Sequence, residues 1–500
     1  MRMRRLLLLR KLGAGLVFAC FLFLFAAWDD ALSPWLANLA RVQAAPALLA
    51  GSALVLVPLA VISLLFGRLY CSLICPLGLL QDGLLHLRGK RPYRRMAKTN
   101  WLRLAIFSLF ALSLLTGALL PFTILDPYGA FGRIAASLFS PLTAWLQDGL
   151  GWLGQRLGSF TLTPAAFSFP GWPALLAAVA TCVVLLFLAL TAGRAWCNYC
   201  PVGFALGVLS RRSLFRMRLD ADKCVRCGKC EKVCKTGCID LENKTIDAER
   251  CVACFSCAPG CPKNAIAYST AGAGGSRGRS GMPPHAGKRA FLRAMLGGAA
   301  FGALTPAKAE AAEIDKINRP DVVPARREMR RRKLPLVPPG AQGLEHFARQ
   351  CVGCQLCVDA CPNHVLITSL GGAGLLQPSM TFEAGYCRPN CTRCGEVCPA
   401  GAIDAITPEE KKAIQVGQAQ VDFARCIVSV DHVQCTACER ICPSGAISLS
   451  PVNIGGRELR RPVVDAARCT GCGGCEYVCP ARPQAAISVM AGLAHARLSK

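Results

Sequence analysis

The sequence is poor in histidine and in acidic residues. Only six of its 500 residues are His, and 30 Asp and Glu stand against 57 Lys and Arg, which gives a net charge of +27. His86 is the one histidine in the apolar N-terminal half, so two axial imidazoles for a haem are lacking there. The chain also lacks a C-x-x-C-H motif, and no G-x-G-x-x-G fingerprint follows a strand. We therefore expect no haem and no flavin or nicotinamide cofactor.

Cysteine, in contrast, is abundant, with 31 residues in a chain that is 53% hydrophobic. A disulfide framework is typical of short secreted chains, whereas these cysteines recur in tight runs. Zinc sites pair two C-x2-C hooks, and a third Cys two residues on, with a fourth after three more, suits one tetrahedral ion poorly. The runs are typical of [4Fe-4S] clusters.

Two consecutive C-x2-C-x2-C-x3-C runs lie between residues 224 and 262. This is the spacing with which bacterial two-cluster ferredoxins hold a pair of [4Fe-4S] cubes. Three thiolates on one loop can bind three irons of a cube, while the fourth, on the helix that follows, reaches the other cube. The expected sets are Cys224, Cys227, Cys230 and Cys261 for one cube, and Cys251, Cys254, Cys257 and Cys234 for the other.

The N-terminal half contains apolar stretches that approach the ~20 residues needed to cross a bilayer. They are Leu12–Trp28, Ala47–Phe66, Trp101–Leu120 and Pro173–Ala192. Lys and Arg cluster before the first stretch and after the second and fourth, but are scarce in residues 29–46 and 121–172. Both ends of this half are therefore expected in the cytoplasm. This topology accounts for most of the basic charge, so nucleic acid is not an expected partner.

A repeat occurs at the two expected cytoplasmic ends. Residues 67–78 and 193–203 both read Gly-Arg-x-aromatic-Cys and then Cys-Pro-x-Gly, with one residue fewer between the cysteines of the second copy. The four thiols are Cys71, Cys75, Cys197 and Cys200. They could jointly bind an extra metal centre, act as dithiols, or be buried structural cysteines at helix ends, and the sequence leaves these alternatives open.

A Gly, Ser and Arg-rich segment, 269–287, indicates a flexible linker. The next segment has the order of an export signal: a basic stretch, a short apolar run and a small-residue cleavage pattern, at Lys288–Arg293, 294–304 and Ala307–Ala309. Its basic stretch resembles the twin-arginine type of signal. A surface anchor or a linker helix is the alternative. The signal is favoured, because its N-terminal side is already expected in the cytoplasm. The basic residues between 326 and 333 oppose it, because such residues are scarce on the outer side of a membrane, and they are also consistent with a C-terminal part that stays in the cytoplasm.

Four further cysteine runs follow residue 350, each with Pro after the last Cys. They are Cys351, Cys354, Cys357 and Cys361; Cys387, Cys391, Cys394 and Cys398; Cys426, Cys435, Cys438 and Cys442; and Cys469, Cys472, Cys475 and Cys479. The inner two runs open with longer gaps, and Cys426 is the ligand least supported by spacing. We predict four more [4Fe-4S] clusters, and so six in the chain.

Residues 1 to about 270 resemble the NapH family through the Gly-Arg-x-aromatic-Cys repeat and the dicluster run, and residues from about 288 resemble the NapG and MauM group through the four runs. The resemblance implies a quinol-side electron entry into periplasmic reductases. It also implies nested pairing, in which two runs supply their last cysteine to each other's cluster. The first and fourth of these runs would exchange Cys361 and Cys479, and the second and third would exchange Cys398 and Cys442. The chain departs from the family at Lys235, where Pro normally follows the ligand, and Cys238 is an extra thiol.

We therefore predict a multidomain fold. It has a four-helix transmembrane bundle (1–218), an α+β bacterial dicluster ferredoxin (219–268), a flexible linker with a signal or anchor (269–345) and a four-cluster ferredoxin-type domain (346–500). We expect a multi-pass protein of the inner membrane, with the N-terminus and the first ferredoxin domain in the cytoplasm. The last domain is expected in the periplasm if the export signal operates.

No cysteine run is accompanied by an acid–base or nucleophile constellation, so an electron carrier is expected, with quinol oxidation as its one catalytic act. The first hypothesis is a conduit between the membrane quinol pool, with a quinol near Tyr70, Trp196 and the four thiols, and a partner reductase or cytochrome. The second is an accessory or regulatory redox factor that reduces a metal or thiol while another metalloenzyme is matured.

Overall fold

A computed structural model describes residues 2–25, 33–89, 100–117, 120–156, 169–270, 332–368, 374 and 376–498. The segment 288–309, for which we predict an export signal or anchor, lies outside these residues.

Within the described part, the N-terminal half is helical. Its α-helices are α1 (Arg2–Leu24), α2 (Ser33–Arg41), α3 (Ala44–Leu49), α4 (Ala53–Phe66), α5 (Tyr70–Leu73), α6 (Pro76–Leu84), α7 (Asn100–Thr116), α8 (Leu120–Leu125), α9 (Pro127–Ile134), α10 (Ser140–Arg156), α11 (Trp172–Ala192), α12 (Ala195–Tyr199) and α13 (Pro201–Ser210). A 3-10 turn, Leu85–Arg88, follows α6, and a π-helical turn, Ala135–Phe139, precedes α10. Helices α1 and α11 are long and apolar enough to cross a membrane, whereas α4 and α7 have 14 and 17 residues.

Helices α8 and α9 form a loop that folds back along α7. The rings of Phe110 in α7 and Phe122 in α8 stack with centroids 4.7 Å apart, which requires the chain to reverse after α7. Asp126 then caps α9, because its carboxylate accepts hydrogen bonds from the backbone N–H groups of Tyr128 and Gly129. The return places α9 beside α6 and α11.

The first ferredoxin module contains α14 (Lys229–Lys232) and two antiparallel strand pairs. Strand β1 (Phe215–Leu219) pairs with β4 (Ile266–Thr270), and β2 (Ile239–Asp240) pairs with β3 (Thr245–Ile246). Strands β1 and β4 lie at the two ends of the module and pair with each other. Both cysteine runs therefore lie in the chain between these two strands.

The C-terminal module, within the described residues, combines short helices with three antiparallel strand pairs. The helices are α15 (Leu344–Gln350), α16 (Leu356–Asp359), α17 (Arg393–Glu396), α18 (Pro408–Lys412), α19 (Ile427–Val430), α20 (Ala437–Arg440) and α21 (Gly474–Val478). The strand pairs are β5 (Leu366–Thr368) with β6 (Pro378–Met380), β7 (Ile414–Val421) with β10 (Ile487–Arg497), and β8 (Ile447–Ile454) with β9 (Arg457–Val464). Gly455 and Gly456, both at positive φ, form the tight turn between β8 and β9.

The end of the predicted linker belongs to the C-terminal module. Leu336 and Val337 are buried in its core, and Arg332 forms an ion pair with Glu476 at 2.6 Å. The backbone N–H of Met380 donates to the carbonyl of Leu336 at 2.8 Å. The packed module therefore begins by residue 332 rather than at 346, because these apolar side chains complete its core.

The first module docks on the segments that follow α4 and α11 and on the first turn of α7. Glu249, which is buried, forms ion pairs with Arg103 and Arg211. Asn198 donates to the carbonyl of Thr236 at 3.1 Å. These are the segments whose Lys and Arg content predicts a cytoplasmic position.

The C-terminal module docks on the other group of segments. Thr368 donates its backbone N–H to the carbonyl of Pro170 at 3.0 Å, and Ser140 hydrogen-bonds Asp359. Arg41 donates to the carbonyl of Glu396 at 2.8 Å. These contacts lie in residues 29–46 and 121–172, where basic residues are scarce, so the two modules contact opposite groups of segments.

Candidate metal centres

The two runs of the first module meet in the way that crossed ligand sets require. Cys257 of the second run lies close enough to two other thiols to be affected by their charge. One is Cys254 of its own run, and the other is Cys234, the last cysteine of the first run. Cys224 and Cys227 act likewise on Cys230. We keep the predicted ligand sets and number them: set 1 is Cys224, Cys227, Cys230 and Cys261, and set 2 is Cys251, Cys254, Cys257 and Cys234.

In the C-terminal module, neighbouring runs exchange their last cysteines, so the nested pairing implied by the resemblance is wrong. Cys398 acts electrostatically on Cys351, Cys354 and Cys357, and Cys361 lines one cavity with the second run. Set 3 is Cys351, Cys354, Cys357 and Cys398; set 4 is Cys387, Cys391, Cys394 and Cys361; set 5 is Cys426, Cys435, Cys438 and Cys479; set 6 is Cys469, Cys472, Cys475 and Cys442. Pairing neighbours closes shorter loops than nesting does, at a lower entropic cost.

The sets of this module follow one another in the order 3, 4, 6 and 5. Cys394 of set 4 acts electrostatically on Cys357 of set 3. The backbone N–H of Cys387 in set 4 donates to the carbonyl of Cys472 in set 6 at 3.0 Å, and Cys438 of set 5 acts on Cys475 of set 6. Cys426, the ligand least supported by spacing, lines the same cavity as the rest of set 5.

The thiol sets suit a cube better than a single ion. Among the described residues, no three His, Cys, Asp or Glu side chains converge closely enough to hold one metal ion. A [4Fe-4S] cube binds each thiolate through a different iron, so its ligands lie further apart. Burial raises the pKa of Cys354 to about 12 and that of Cys438 to about 11. Metal binding at these thiols must therefore displace protons.

The four thiols of the repeat are brought together as a membrane thiol site, formed by Cys71, Cys75, Cys197 and Cys200, which line one cavity. All four are at most 7% exposed. The local structure follows from the motif, because Gly67 and Gly193 adopt positive φ after α4 and α11. Each Cys-Pro pair then begins a helix, with Cys75 capping α6 and Cys200 capping α13.

The arginine of each repeat copy hydrogen-bonds the backbone of the other copy. Arg68 donates to the carbonyl of Cys197 at 2.5 Å, and Arg194 donates to the carbonyl of Cys71 at 2.6 Å. A Cβ on Gly78 would lie 2.5 Å from the Arg194 guanidinium. The corresponding glycine of the second copy, Gly203, leaves the same space for Arg68. Each Cys-Pro-x-Gly glycine thus makes room for the arginine of the other copy.

The lining of the membrane thiol site fits an anionic metal–thiolate group. Four residues line or border the cavity, namely Arg68, Arg194, Gln81 and Trp196. Each has a buried polar atom without a hydrogen-bond partner in the part of the chain that the structure describes. Both arginine side chains are fully buried. Helix N-termini at Cys75 and Cys200 add further positive potential. These residues would hold a cluster ligated by the four thiolates and neutralise its negative charge.

Sequence analysis missed the carboxylate that ties this site to the first module. Asp82 accepts from Lys235 at 2.9 Å and forms ion pairs with Arg10 and Arg194. Lys235, which replaces the usual proline, is thus held by the membrane half. A single carboxylate in an apolar helix carries no sequence signal for such a partner set, because its partners come from three distant segments.

Sequence analysis also missed the contact between the membrane half and set 3. A Cβ on Gly129 would lie 2.6 Å from the carbonyl oxygen of Val352, and one on Gly132 would lie 2.3 Å from that of Cys354. Arg133 donates to the carbonyls of Thr123 and Gly353. The two glycines of α9 therefore allow the cysteine loop to approach the helix backbone closely.

Comparison with known families agrees with these sites. A family model described as a 4Fe-4S binding domain matches residues 48–94 and 172–220, which include both copies of the repeat. Another 4Fe-4S binding domain model matches residues 217–240, and a 4Fe-4S dicluster domain matches residues 433–482. No solved structure matches the chain.

Curated relatives each match about a third of the chain. YccM of Escherichia coli is 29% identical over 199 residues, 38% of this chain and 47% of YccM. The ferredoxin-type protein NapH of Haemophilus influenzae is 30% identical over 189 residues, 36% of this chain and 54% of NapH. The methylamine utilization ferredoxin-type protein MauM of Methylorubrum extorquens is 37% identical over 165 residues, 31% of this chain and 72% of MauM. The chain thus spans about half the length of YccM and NapH. It belongs to the NapH and MauM type of polyferredoxin, a group of iron–sulfur electron-transfer proteins.

Proposed function

We propose that the chain is an inner-membrane conduit that carries electrons between the quinol pool and a reductase or cytochrome. Six [4Fe-4S] clusters in sets 1 to 6 would supply one-electron transfer. The membrane thiol site would hold a further iron–sulfur centre. The proposed domains are 1–218, 219–270 and 332–500, the last beginning earlier than the sequence predicts.

The observation that carries this proposal is the position of the membrane thiol site between the two modules. On one side, Arg194 experiences the charges of both Cys71 and Cys254, a member of set 2. On the other side, Pro127 lines the thiol cavity, and the next residue, Tyr128, experiences the charge of Cys354 in set 3. The ligand sets therefore form one series, in the order 1, 2, membrane thiol site, 3, 4, 6 and 5.

The contacts of the two modules support a transmembrane direction for this series. The first module contacts the segments that are rich in Lys and Arg, and the C-terminal module contacts those in which Lys and Arg are scarce. By the positive-inside rule, the first module lies in the cytoplasm and the second in the periplasm. The chain would then join both sides of the membrane without a second protein.

Of the two aromatic residues of the repeat, Trp196 is the better candidate for contact with a quinol. The hydroxyl of Tyr70 donates to Gln43 at 2.8 Å and accepts from the backbone N–H of Ala44, so its hydrogen bonds are already made within the protein. Among the described residues, the indole N–H of Trp196 has no hydrogen-bond partner, and the residue lines the thiol cavity. It could therefore donate to a quinone oxygen.

The conduit can be tested in liposomes that contain the full, cluster-loaded chain. A menaquinol analogue in the bilayer is expected to bleach the visible iron–sulfur absorbance, and a protein that stays oxidised would contradict the quinol assignment. An impermeant reductant such as dithionite, added on the side of the first module, tests the path itself. It is expected to bleach all clusters in the wild type but only sets 1 and 2 in Cys71→Ala/Cys197→Ala.

Cys182→Ala is the matched control, because Cys182 is a free cysteine of α11 outside every cysteine set. This variant is expected to behave like the wild type. Equal bleaching of all clusters in the Cys71→Ala/Cys197→Ala variant would show that the membrane thiols do not join the modules. Iron analysis first checks that sets 1 to 6 are loaded in every variant, which requires about 24 irons. The wild type is expected to carry the iron of the membrane thiol site in addition.

A further inference from the structure

Cys238 is the one cysteine of the first module that belongs to no ligand set. It stands four residues after Cys234, the last ligand of its run. Three other runs have alanine at this place, namely Ala265, Ala402 and Ala446, and each of these is at most 2% exposed. A small buried side chain is therefore what the position requires, and only here does it carry a thiol.

The backbone geometry of this position is shared by three other runs. The N–H of Cys238 donates to the sulfur of Cys234 at 3.4 Å. In the same way Ala265 donates to Cys261 at 3.2 Å, and Ala446 to its own run's last cysteine at 3.3 Å. The position is thus structurally equivalent between runs, so the thiol of Cys238 projects to the place that an alanine methyl group occupies elsewhere.

The Cys238 thiol lies against two sulfurs of set 2. Its Sγ is 3.5 Å from that of Cys234, and Cys251 lies near enough to act on it electrostatically. These two ligands come from different runs but bind the same cube under the proposed sets. Cys238 is 4% exposed, so solvent-borne metals or thiols do not account for its presence.

We propose that Cys238 is a reserve ligand of the set 2 cluster, able to replace Cys234. The inference rests on the proposed ligand sets. In the exchange, the Cys238 S–H bond breaks and its sulfur bonds to iron, while Cys234 leaves the same iron and takes up the proton. No oxidation state changes. The cluster nearest the membrane thiol site could thereby retain its four irons when one ligand is lost or modified.

Iron and acid-labile sulfide per full-length chain test the proposal. Cys234→Ala is expected to keep wild-type iron content, whereas Cys234→Ala/Cys238→Ala is expected to lose the iron of one cluster, about four atoms. Cys261→Ala is the matched control, since its position four residues later is Ala265 and offers no thiol. It is expected to lose iron, and Cys261→Ala/Ala265→Cys is expected to regain it.

The outcomes separate this proposal from the conduit itself. If Cys234→Ala loses as much iron as Cys261→Ala, Cys238 is not a reserve ligand, although the proposed function stands. If the wild type carries no cluster in the first module, the proposed function fails. Cys238→Ala alone is expected to fold and bind iron normally, because alanine is the residue found at the equivalent places. Loss of iron in that variant would make Cys238 a necessary packing residue and overturn the proposal.

Discussion

Single glycines decide whether the two repeat copies can interlock. Replacing Gly78 by alanine would put a Cβ 2.5 Å from both the Arg194 guanidinium and the carbonyl oxygen of Cys71. Arg194 must then move from its buried position. We expect Gly78→Ala to lower the free energy of unfolding by about 1–3 kcal/mol and to weaken metal binding at the membrane thiol site. Thermal unfolding and iron content of the detergent-solubilised chain measure both effects.

Gly83 provides the control on the same helix. A Cβ there meets no atom of the described residues within 4 Å, and alanine in a helix interior is favoured over glycine by about 1 kcal/mol. Gly83→Ala is therefore expected to be neutral or slightly stabilising. If both variants unfold alike, the close contact at Gly78 is not important for stability.

At the scale of elements, α9 packs on the cysteine loop of set 3 through glycines, which leave no side chain between the two backbones. A Cβ at Gly132 would overlap the backbone of Cys354 and lie 2.3 Å from its carbonyl oxygen. Because the overlapping atoms belong to the backbone, no side-chain rotation can relieve the contact. We expect Gly132→Ala to weaken docking by about 1–3 kcal/mol. Faster amide hydrogen exchange in residues 351–355 would report it. Gly149→Ala in α10, where a Cβ meets nothing, should leave exchange unchanged.

The β7–β10 strand pair should be sensitive to acid through His495. Burial lowers the pKa of His495 to about 4, below the ordinary value near 6.5. Its neutral form is favoured in the folded state, so the associated stability is complete above pH 6.5 and is lost as the pH falls toward 4. Hydrogen exchange of β7 and β10 should therefore accelerate between these values.

His495→Gln is expected to flatten this pH dependence, because glutamine cannot become charged. His432→Gln serves as the control, since His432 lies exposed in a loop of the same module. A wild-type exchange rate that is independent of pH, after correction for intrinsic exchange, would contradict the role of His495.

At the scale of the whole molecule, the pairing of the C-terminal runs can be read from double variants. Cys351 and Cys398 belong to one set in the structure, so Cys351→Ala/Cys398→Ala should lose no more iron than either single variant. Cys351→Ala/Cys479→Ala should lose the iron of two clusters, because its residues belong to sets 3 and 5. Nested pairing would reverse these two results. Non-additivity of this kind is expected only within one site.

Much of the candidate site could be predicted from sequence. The regular spacing of Cys224 to Cys261 specifies cluster ligands because three thiolates on one loop have few other geometries. The third and fourth apolar stretches match α7 and α11 to within four residues, whereas α1 begins ten residues before the first predicted stretch. Two of their helices, α4 and α7, proved shorter than a membrane span, because a break at Gly51 and the reversal after α7 interrupt the apolar runs.

The sequence by itself determined which thiols act together locally and which segments are apolar, since both depend on spacing and composition within a few tens of residues. Only the tertiary structure decided that Cys398 lies in the same ligand set as Cys351. It also decided that Arg68 and Arg194 each hydrogen-bond the other copy of the repeat, and that Asp82 pairs with three cationic side chains. Each of these contacts joins residues at least 40 positions apart, and nothing in a local pattern states which distant partner will fill a buried space.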